Sequence, residues 1–462
     1  MKRFFPKSDS VAGSSKVFVL HVDHRPDGNG DVRHAFDISV ELINLFPQAE
    51  IHLVIAHKGK MDWSLINTEL EEPYNKQVIG HFFQIDQYQF ECNGKLHDHY
   101  KLSDCKVGFK RFVSEDISLN NAYTAAKIVF IISTPFPQEF FKKYITPETR
   151  IITITEHCAT SFLNDDEIGL TGENYVLGID KIHSGKGLLI KDTRQEPMQA
   201  LLSITDQRFL QKLGFSQYPL TPENAKQYLE DHLIVPIYYQ YGFDYILRPL
   251  IYALSHSPLA VDKKMVFVIN RNNPDLTEWN RFKSELPLKV ITTISNFPLE
   301  NTASDDESAS ISIIAGYWFE KSGDFKNLCN LAFWMICSGD KTLEVAVEKG
   351  APFIYSAPNS KFGMFWALKN TVTSNYRKIL EIANPASVNP ALTYHAESCA
   401  KQMLCDIQKS NIPTLFNSEV RQDCANFRTW LLKNRSFYKL LPTIVNDSST
   451  LQITNIPNQT AF

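Results

Sequence analysis

Short apolar runs recur along this chain at intervals that a βαβ arrangement fills. Lys16–Asp23 (KVFVLHVD) is such a run, apolar at successive positions and too short for a core helix. A strand of this kind is buried on both faces, so helices must cover both sides of its sheet. Directly after it comes PDGNGDVRHAFDIS, residues 26–39, a charged loop with two glycines. Val32, Ala35, Phe36, Val40, Ile43 and Phe46 then recur at helical spacing. Ala49–His57 (AEIHLVIAH) is the next strand, which completes a βαβ unit. Ala126–Thr134 and Thr149–His157 add two more buried strands, and Gly185–Asp192 is a further candidate.

The alternation starts again near residue 234. Residues 195–230 are helical and polar, and PLTPENAKQYLEDHL carries a threonine before proline and then acids, a helix-start signal. Strands are expected from Ile234, over Lys263–Asn270, over Leu288–Ile294 and over Ser308–Tyr317. KNLCNLAFWMICSG reads as a helix running into a strand, KTLEVAVEKG as a helix and APFIYSAP as a last strand. The expected organisation is a flexible N-terminus over 1–15 and a first Rossmann-like domain over 16–230. A second such domain follows over 231–420, then a C-terminal helix and polar tail over 421–462.

Composition narrows the function classes. A formal net charge of -4 gives no footprint for nucleic acid. The eight cysteines show no C-x-x-C spacing and have no nearby histidines to complete a zinc pattern, so they read as free thiols of a reducing compartment. No apolar run reaches a membrane span, and the basic N-terminus lacks the apolar core of a secretory signal. The expectation is a cytoplasmic protein, or one delivered into a host cytosol; the polar tail also suits delivery by a bacterium. Asp305, Asp306 and Glu307 lie in an acidic loop of small residues, which reads as solvated and not as a metal site.

The second chemistry-bearing stretch is CSGDKTLEVAVEKGAPFIY, Cys337–Tyr355. A strand ends at Ser338, Gly339 permits a tight turn, and a helix is expected to begin near Thr342. A helix N-terminus presents unpaired N–H groups and a positive dipole end, which suits phosphate. Thr342 either caps the helix or binds a phosphate oxygen. Gly350 ends the helix and Pro352 opens the return strand.

This stretch resembles the donor-sugar signature of the GT-B glycosyltransferases: small-Gly-x-x-Ser/Thr, helix, Gly-x-Pro, apolar strand. Gly339 stands three before Thr342, and Gly350 is spaced from Thr342 as in that signature. The 26–39 loop stands where that family has its Gly-rich N-terminal loop. Within GT-B, the chain also resembles the protein-arginine rhamnosyltransferases in four short stretches. Asp27, Gly30 and Asp31 match their D-x-x-G-D loop, with Gly28-Asn29 in place of Asn-Phe. Tyr239 and Tyr241 match an aromatic-x-Tyr strand, and GIDKIHSGKGLLI is similar to their linker. Gly339-Asp340-Lys341-Thr342 replaces their Gly-Glu-Asp-Ser.

The resemblance implies an α/β GT-B fold, two Rossmann-like domains with parallel sheets facing across a cleft. It implies a nucleotide-sugar donor held by the second domain and an acceptor held by the first, with a protein side chain among the acceptors to consider. No metal or other cofactor is expected, since helix dipoles and basic side chains stabilise the leaving diphosphate. The donor side would draw on Gly339, Asp340, Lys341, Thr342, Glu344, Tyr239, Tyr241 and Arg271, the last following a strand at its sheet's carboxyl edge. The acceptor loop would be Gly28, Asn29 and Gly30. Asp31, Asp27 or His34 would remove the acceptor proton, since glycosyl transfer needs a base opposite a stabilised leaving group. Such displacement inverts the anomeric centre.

Each of these residues also has a plain structural role: Asp27 as a turn residue, Asp31 as a first-turn acid, the tyrosines as core. Glu156, His157 and Cys158 cluster after a strand, but adjacent strand residues face opposite sides, which speaks against a Cys–His nucleophile pair. A NAD-dependent dehydrogenase is set aside because GNGDVR lacks the third glycine. Two alternatives to a transferase stand: a nucleotide-sugar epimerase or hydrolase of the same fold, and a non-catalytic partner-binding module.

Overall fold

The computed structural model describes residues 16–24, 30–57, 78–92, 95–104, 119–133, 145–155, 173–179, 185–238, 250–270, 291–296, 311–315, 319, 322–357, 362–384 and 412–446. They form two α/β units, one centred on residues up to Tyr175 and one on Val176 onward.

The first unit holds a seven-stranded sheet in the order β4-β3-β2-β1-β5-β6-β7. β1 (Val17–His24) runs parallel to both β2 (Glu50–His57) and β5 (Ile128–Ser133). β3 (Val78–Cys92) is parallel to β2, and β6 (Arg150–Thr155) is parallel to β5. β4 (Lys95–Asp104) folds back antiparallel on β3, and β7 (Glu173–Val176) lies at the other edge. The strand pair β3–β4 was not among the sequence expectations, because its alternating polar residues give no continuous apolar run.

β1 is apolar throughout because both its faces are covered. Phe18, Leu20 and Val22 are fully buried, and the Phe18 ring meets Phe46 at 5.6 Å, just beyond helix α1 (Gly30–Leu45). Val19 lies in a separate cluster with Tyr123 and Ala126, around helix α2 (Leu119–Ala125). The α1 face centres on Val32, Ala35, Phe36, Ser39 and Leu42, while Val40 and Ile43 of the expected stripe sit at its partly buried margin. His21 is also fully buried on β1, with Nδ1 at 2.8 Å from the Tyr123 hydroxyl.

The second unit holds a six-stranded, all-parallel sheet in the order β10-β11-β9-β8-β12-β13. Its strands are β8 (His232–Tyr238), β9 (Lys264–Asn270), β10 (Ile291–Asn296), β11 (Ile311–Ala315), β12 (Met335–Cys337) and β13 (Phe353–Tyr355). Period-2 alternation splits its two faces. Val235, Ile237, Met265, Phe267, Ile311 and Ile313 enter the larger core, while Ile234, Val266, Val268 and Ile314 enter the smaller one.

Helices α3 (Pro197–Leu202), α4 (Gln207–Lys212) and α5 (Pro222–Asp231) supply that smaller core through Leu201, Phe209, Leu210 and Tyr228. Thr221 caps α5 as its sequence signals, accepting from the Asn224 amide, with Pro222 in the first turn. These helices belong to the second unit, so the contacts divide the chain near residue 176 and not at the expected 230/231. The polar sequence of 195–230 gave no sign of which sheet its buried face covers. The helix expected beyond residue 421 belongs there too. Helix α10 (Ser418–Asn434) follows α6 (Ser322–Asn330), α7 (Asp340–Lys349), α8 (Phe362–Thr371) and α9 (Ser374–Ile382). It places Val420, Cys424, Phe427 and Leu431 in the larger core.

Residues 185–192, a strand candidate, instead form an irregular strap that makes single bridges, Gly178 to Gly187 and Leu188 to Ser436. A Cβ at Gly187 would lie 2.5 Å from the Arg435 carbonyl oxygen, so glycine lets the strap pass that close. Cys329, Cys337 and Cys424 are free and buried, as the reading of unpaired thiols expects.

Two expectations follow. Burial pushes the His21 pKa down to about 3. The unfolded chain therefore binds a proton that the folded one refuses between about pH 6.5 and 3, and stability falls with pH across that window. Its slope from this group is about 1.4 kcal/mol per pH unit. In urea titrations at pH 7 and pH 5, the paired variant His21→Leu/Tyr123→Phe should lose less stability on acidification than wild type. Gly350 ends α7 with φ 76°, and a Cβ there would sit 2.8 Å from Arg194 Cδ. Gly350→Ala should cost about 1 kcal/mol or more, read as a lowered urea midpoint.

Candidate functional site

Parallel sheets bring all their strand-to-helix loops to the carboxyl edge, and a crevice opens there where the strand order reverses. In the first sheet the reversal lies between β1 and β5, and in the second between β8 and β12. Both chemistry-bearing loops lead from these strands. The 26–39 stretch connects β1 to α1, and Cys337–Thr342 connects β12 to α7.

The β12–α7 junction is built from backbone and one hydroxyl. β12 ends at Cys337, and Ser338 N donates to the Tyr238 carbonyl at 3.1 Å, which aligns it with the end of β8. The helix starts at Asp340, two residues before the expected Thr342, with extended Gly339 as N-cap. Thr342 therefore stands at the third helical position. Its Oγ1 donates to Gly339 O at 2.7 Å and accepts from Gly339 N at 3.2 Å. Leu343 N makes the first intrahelical bond, to Gly339 O at 3.0 Å. The amides of Asp340, Lys341 and Thr342 precede it and point out of the helix start.

The acid and base of this turn are engaged sideways. Tyr355 OH on β13 donates to Asp340 Oδ1 at 3.1 Å. Glu344 is fully buried, its Oε1 accepting from Leu189 N of the strap at 2.7 Å. Lys341 Nζ lies 3.4 Å from Glu344 Oε2, with its side chain 11% exposed. Lys341 thus neutralises a buried carboxylate on its own helix face. An anion at this helix start would meet backbone N–H groups and the dipole, with Lys341 turned toward Glu344.

The other end of α7 is held as firmly. Lys191 N donates to Glu348 Oε1 at 3.2 Å, and Arg428 on α10 donates to Val347 O at 2.6 Å and to Glu348 O at 3.2 Å. Cations at a helix C-terminus satisfy its last carbonyls and its dipole. The sequence reading did not find Tyr238. It ends β8 at the reversal point, and a Cβ added to Gly339 would sit 3.6 Å from its ring. Its signal is the aromatic run YYQY, residues 238–241, of which the resemblance matches only Tyr239 and Tyr241.

In the first unit, Gly30 opens α1 and Asp31 stands in the first turn. His34, one turn on, is buried at 2% exposure and faces inward with Ala35 and Phe36. Asp27, Gly28, Asn29, Tyr239, Tyr241 and Arg271 lie outside the described residues, as do Glu156, His157, Cys158 and the 305–307 acids. Among the described residues no group of three or more His, Cys, Asp or Glu could hold a metal ion. No helix among them is long and apolar enough to cross a membrane.

No family model matches the sequence, and no curated protein does. Among solved structures, the chain is similar to a family 9 glycosyl transferase from Veillonella parvula, at 12% identity over 91% of this chain and 99% of that one, TM-score 0.35. It is similar to the spinosyn rhamnosyltransferase SpnG, complexed with thymidine diphosphate, at 9% identity over 93% and 100%, TM-score 0.42. It is similar too to the UDP-GlcNAc 2-epimerase of Neisseria meningitidis, at 9% identity over 90% and 100%, TM-score 0.38.

Thr342→Ala removes the hydroxyl that closes the helix start and should cost about 1 kcal/mol, most of it restored by Thr342→Ser, in chemical denaturation. Lys341→Met leaves the Glu344 carboxylate buried without its counter-charge and should cost about 3 kcal/mol. Lys341→Met/Glu344→Gln should recover part of that loss, since Gln still accepts from Leu189.

Proposed function

We propose that this protein is a glycosyltransferase that moves a sugar from a nucleotide-sugar donor to an acceptor, without a metal and with inversion. The observation that carries this reading is topological. Two loops that resemble GT-B donor and acceptor loops each leave the strand where their parallel sheet reverses order. Two short motifs coinciding with two independent reversal points is more than either motif alone supports.

The donor diphosphate would rest against the N-terminus of α7, on the outward amides of Asp340, Lys341 and Thr342. As the sugar–phosphate bond breaks, negative charge grows on the leaving oxygen, and fixed N–H donors stabilise it most at that moment. Gly339 keeps the approach open, and Thr342 holds the first turn in shape. Asp31 in the first turn of α1 would remove the acceptor proton, with Asp27 as the alternative base. Burial of His34 favours a supporting role for it over that of base. The acceptor, a protein side chain among the candidates, would engage Gly28–Gly30.

The first test is thermal stabilisation by UDP, GDP, dTDP, ADP and CMP, with and without EDTA, on wild type and Thr342→Ala. A selective nucleotide should raise the melting temperature of wild type by mass action, survive EDTA and lose effect on the variant. Stabilisation by none at millimolar concentration would leave the partner-binding module as the better reading. With the donor known, Asp31→Asn should slow transfer by about 100-fold or more while nucleotide binding stays unchanged. Product analysis separates transfer from epimerisation.

A further inference from the structure

The carboxyl end of β13 is closed by one buried side chain that belongs to another helix. Asn384 follows α9 and its C-cap Ala383, and it is fully buried. Its Oδ1 accepts from Ala357 N at 2.7 Å. Its Nδ2 donates to Tyr355 O and to Leu380 O, each at 2.7 Å. One amide donor and two carbonyl acceptors leave a single orientation for the side-chain amide. Beside it, Ser356 Oγ donates to Ala383 O at 2.9 Å. The three residues that leave β13 are thus tied to the end of α9.

The same residues face the candidate donor edge. Ser356 N donates to the Cys337 carbonyl at 2.9 Å, at the end of β12. The Tyr355 ring is fully buried, and its hydroxyl donates to Asp340, the first residue of α7. A continuous chain of contacts therefore runs from α9 through Asn384, Tyr355 and Asp340 to the helix start. None of its anchoring members lies in the Gly339–Thr342 motif except Asp340.

We infer that Asn384 and Tyr355 are positioning residues for the donor site, setting the height and direction of the α7 start and of the chain leaving β13. This rests on the reading of that edge as the nucleotide-sugar site and names what holds it in shape. Asn384 suits the task because only a neutral amide supplies one acceptor and two donors there. Aspartate would set a negative carboxylate against two carbonyl oxygens, and leucine would remove all three hydrogen bonds. Tyr355 adds a directional hold on the Asp340 carboxylate through its hydroxyl.

The test compares wild type, Asn384→Ala, Tyr355→Phe and a control, Tyr376→Phe. Tyr376 OH donates to the Phe353 carbonyl at 2.6 Å, so the control loses a buried hydrogen bond at the opposite end of the same strand. Amide hydrogen exchange on the ligand-free full chain comes first. Expected is a loss of protection of tenfold or more at the bonded amides of Ser338, Gly339 and Leu343 in Tyr355→Phe, and at these and at Ser356 and Ala357 in Asn384→Ala. Tyr376→Phe should leave both sets protected. Equal loss in all three variants, or no loss in Asn384→Ala and Tyr355→Phe, overturns the inference. The second readout is affinity for the nucleotide that stabilises wild type, expected to fall at least tenfold in the two test variants and to hold in the control. Unchanged affinity in Tyr355→Phe and Asn384→Ala overturns it as well. If no nucleotide binds wild type, the donor reading falls, and the exchange comparison alone decides whether the pair holds this edge. Tyr355→Phe removes one oxygen and nothing else, so the comparison does not depend on Asn384→Ala folding.

Discussion

A parallel strand buried on both faces governs everything else in this molecule. A parallel neighbour cannot be reached by turning straight back, so each connection between parallel strands must cross a face of the sheet. The crossings send every strand-to-helix loop to the carboxyl edge. They also decide where two neighbouring loops diverge, between β1 and β5 in one unit and between β8 and β12 in the other. Crevices form at such reversal points because the backbone leaves room and N–H groups there.

The second unit shows how much structure one helix start needs. α7 is fastened along its length by the 185–192 strap through Glu344 and Glu348, and at its far end by Arg428. Its near end is set by Thr342 folding back on Gly339 and by Tyr355 reaching Asp340. Glu344 and Lys341, two side chains of the expected donor set, are thereby given structural work. What the helix start still offers outward is its backbone amides. In the donor site proposed above, amides fixed in this way would rearrange little on binding, and preorganisation of that kind stabilises developing charge.

Much of this was legible in the residues. Continuous apolar runs marked β1, β2, β5, β6 and β9 within a residue or two of their ends, because two-sided burial leaves no room for polar alternation. Thr221 before Pro222 announced α5, and Gly350 before Pro352 announced the end of α7. Residues Gly339 and Thr342 were recognised together, though the hydroxyl closes the turn from the third helical position and does not begin the helix. The β3–β4 pair is not marked by a continuous apolar run, because the polar alternation of an edge hairpin interrupts it.

The sequence by itself determined the period of most elements: the buried strands β1, β2, β5, β6 and β9, the capped start of α5, the end of α7, and two successive runs of βα alternation. Those features depend on neighbours a few residues away, through side-chain spacing, capping and glycine's freedom at positive φ. The tertiary structure alone decided which elements share a core. It assigned residues 197–231 and α10 to the second sheet, turned Glu344 toward a strap 155 residues earlier, and set Asn384 against the exit of β13. Such partners are chosen by the volume and hydrogen-bonding needs of whole packed layers, and no local pattern along the chain encodes them.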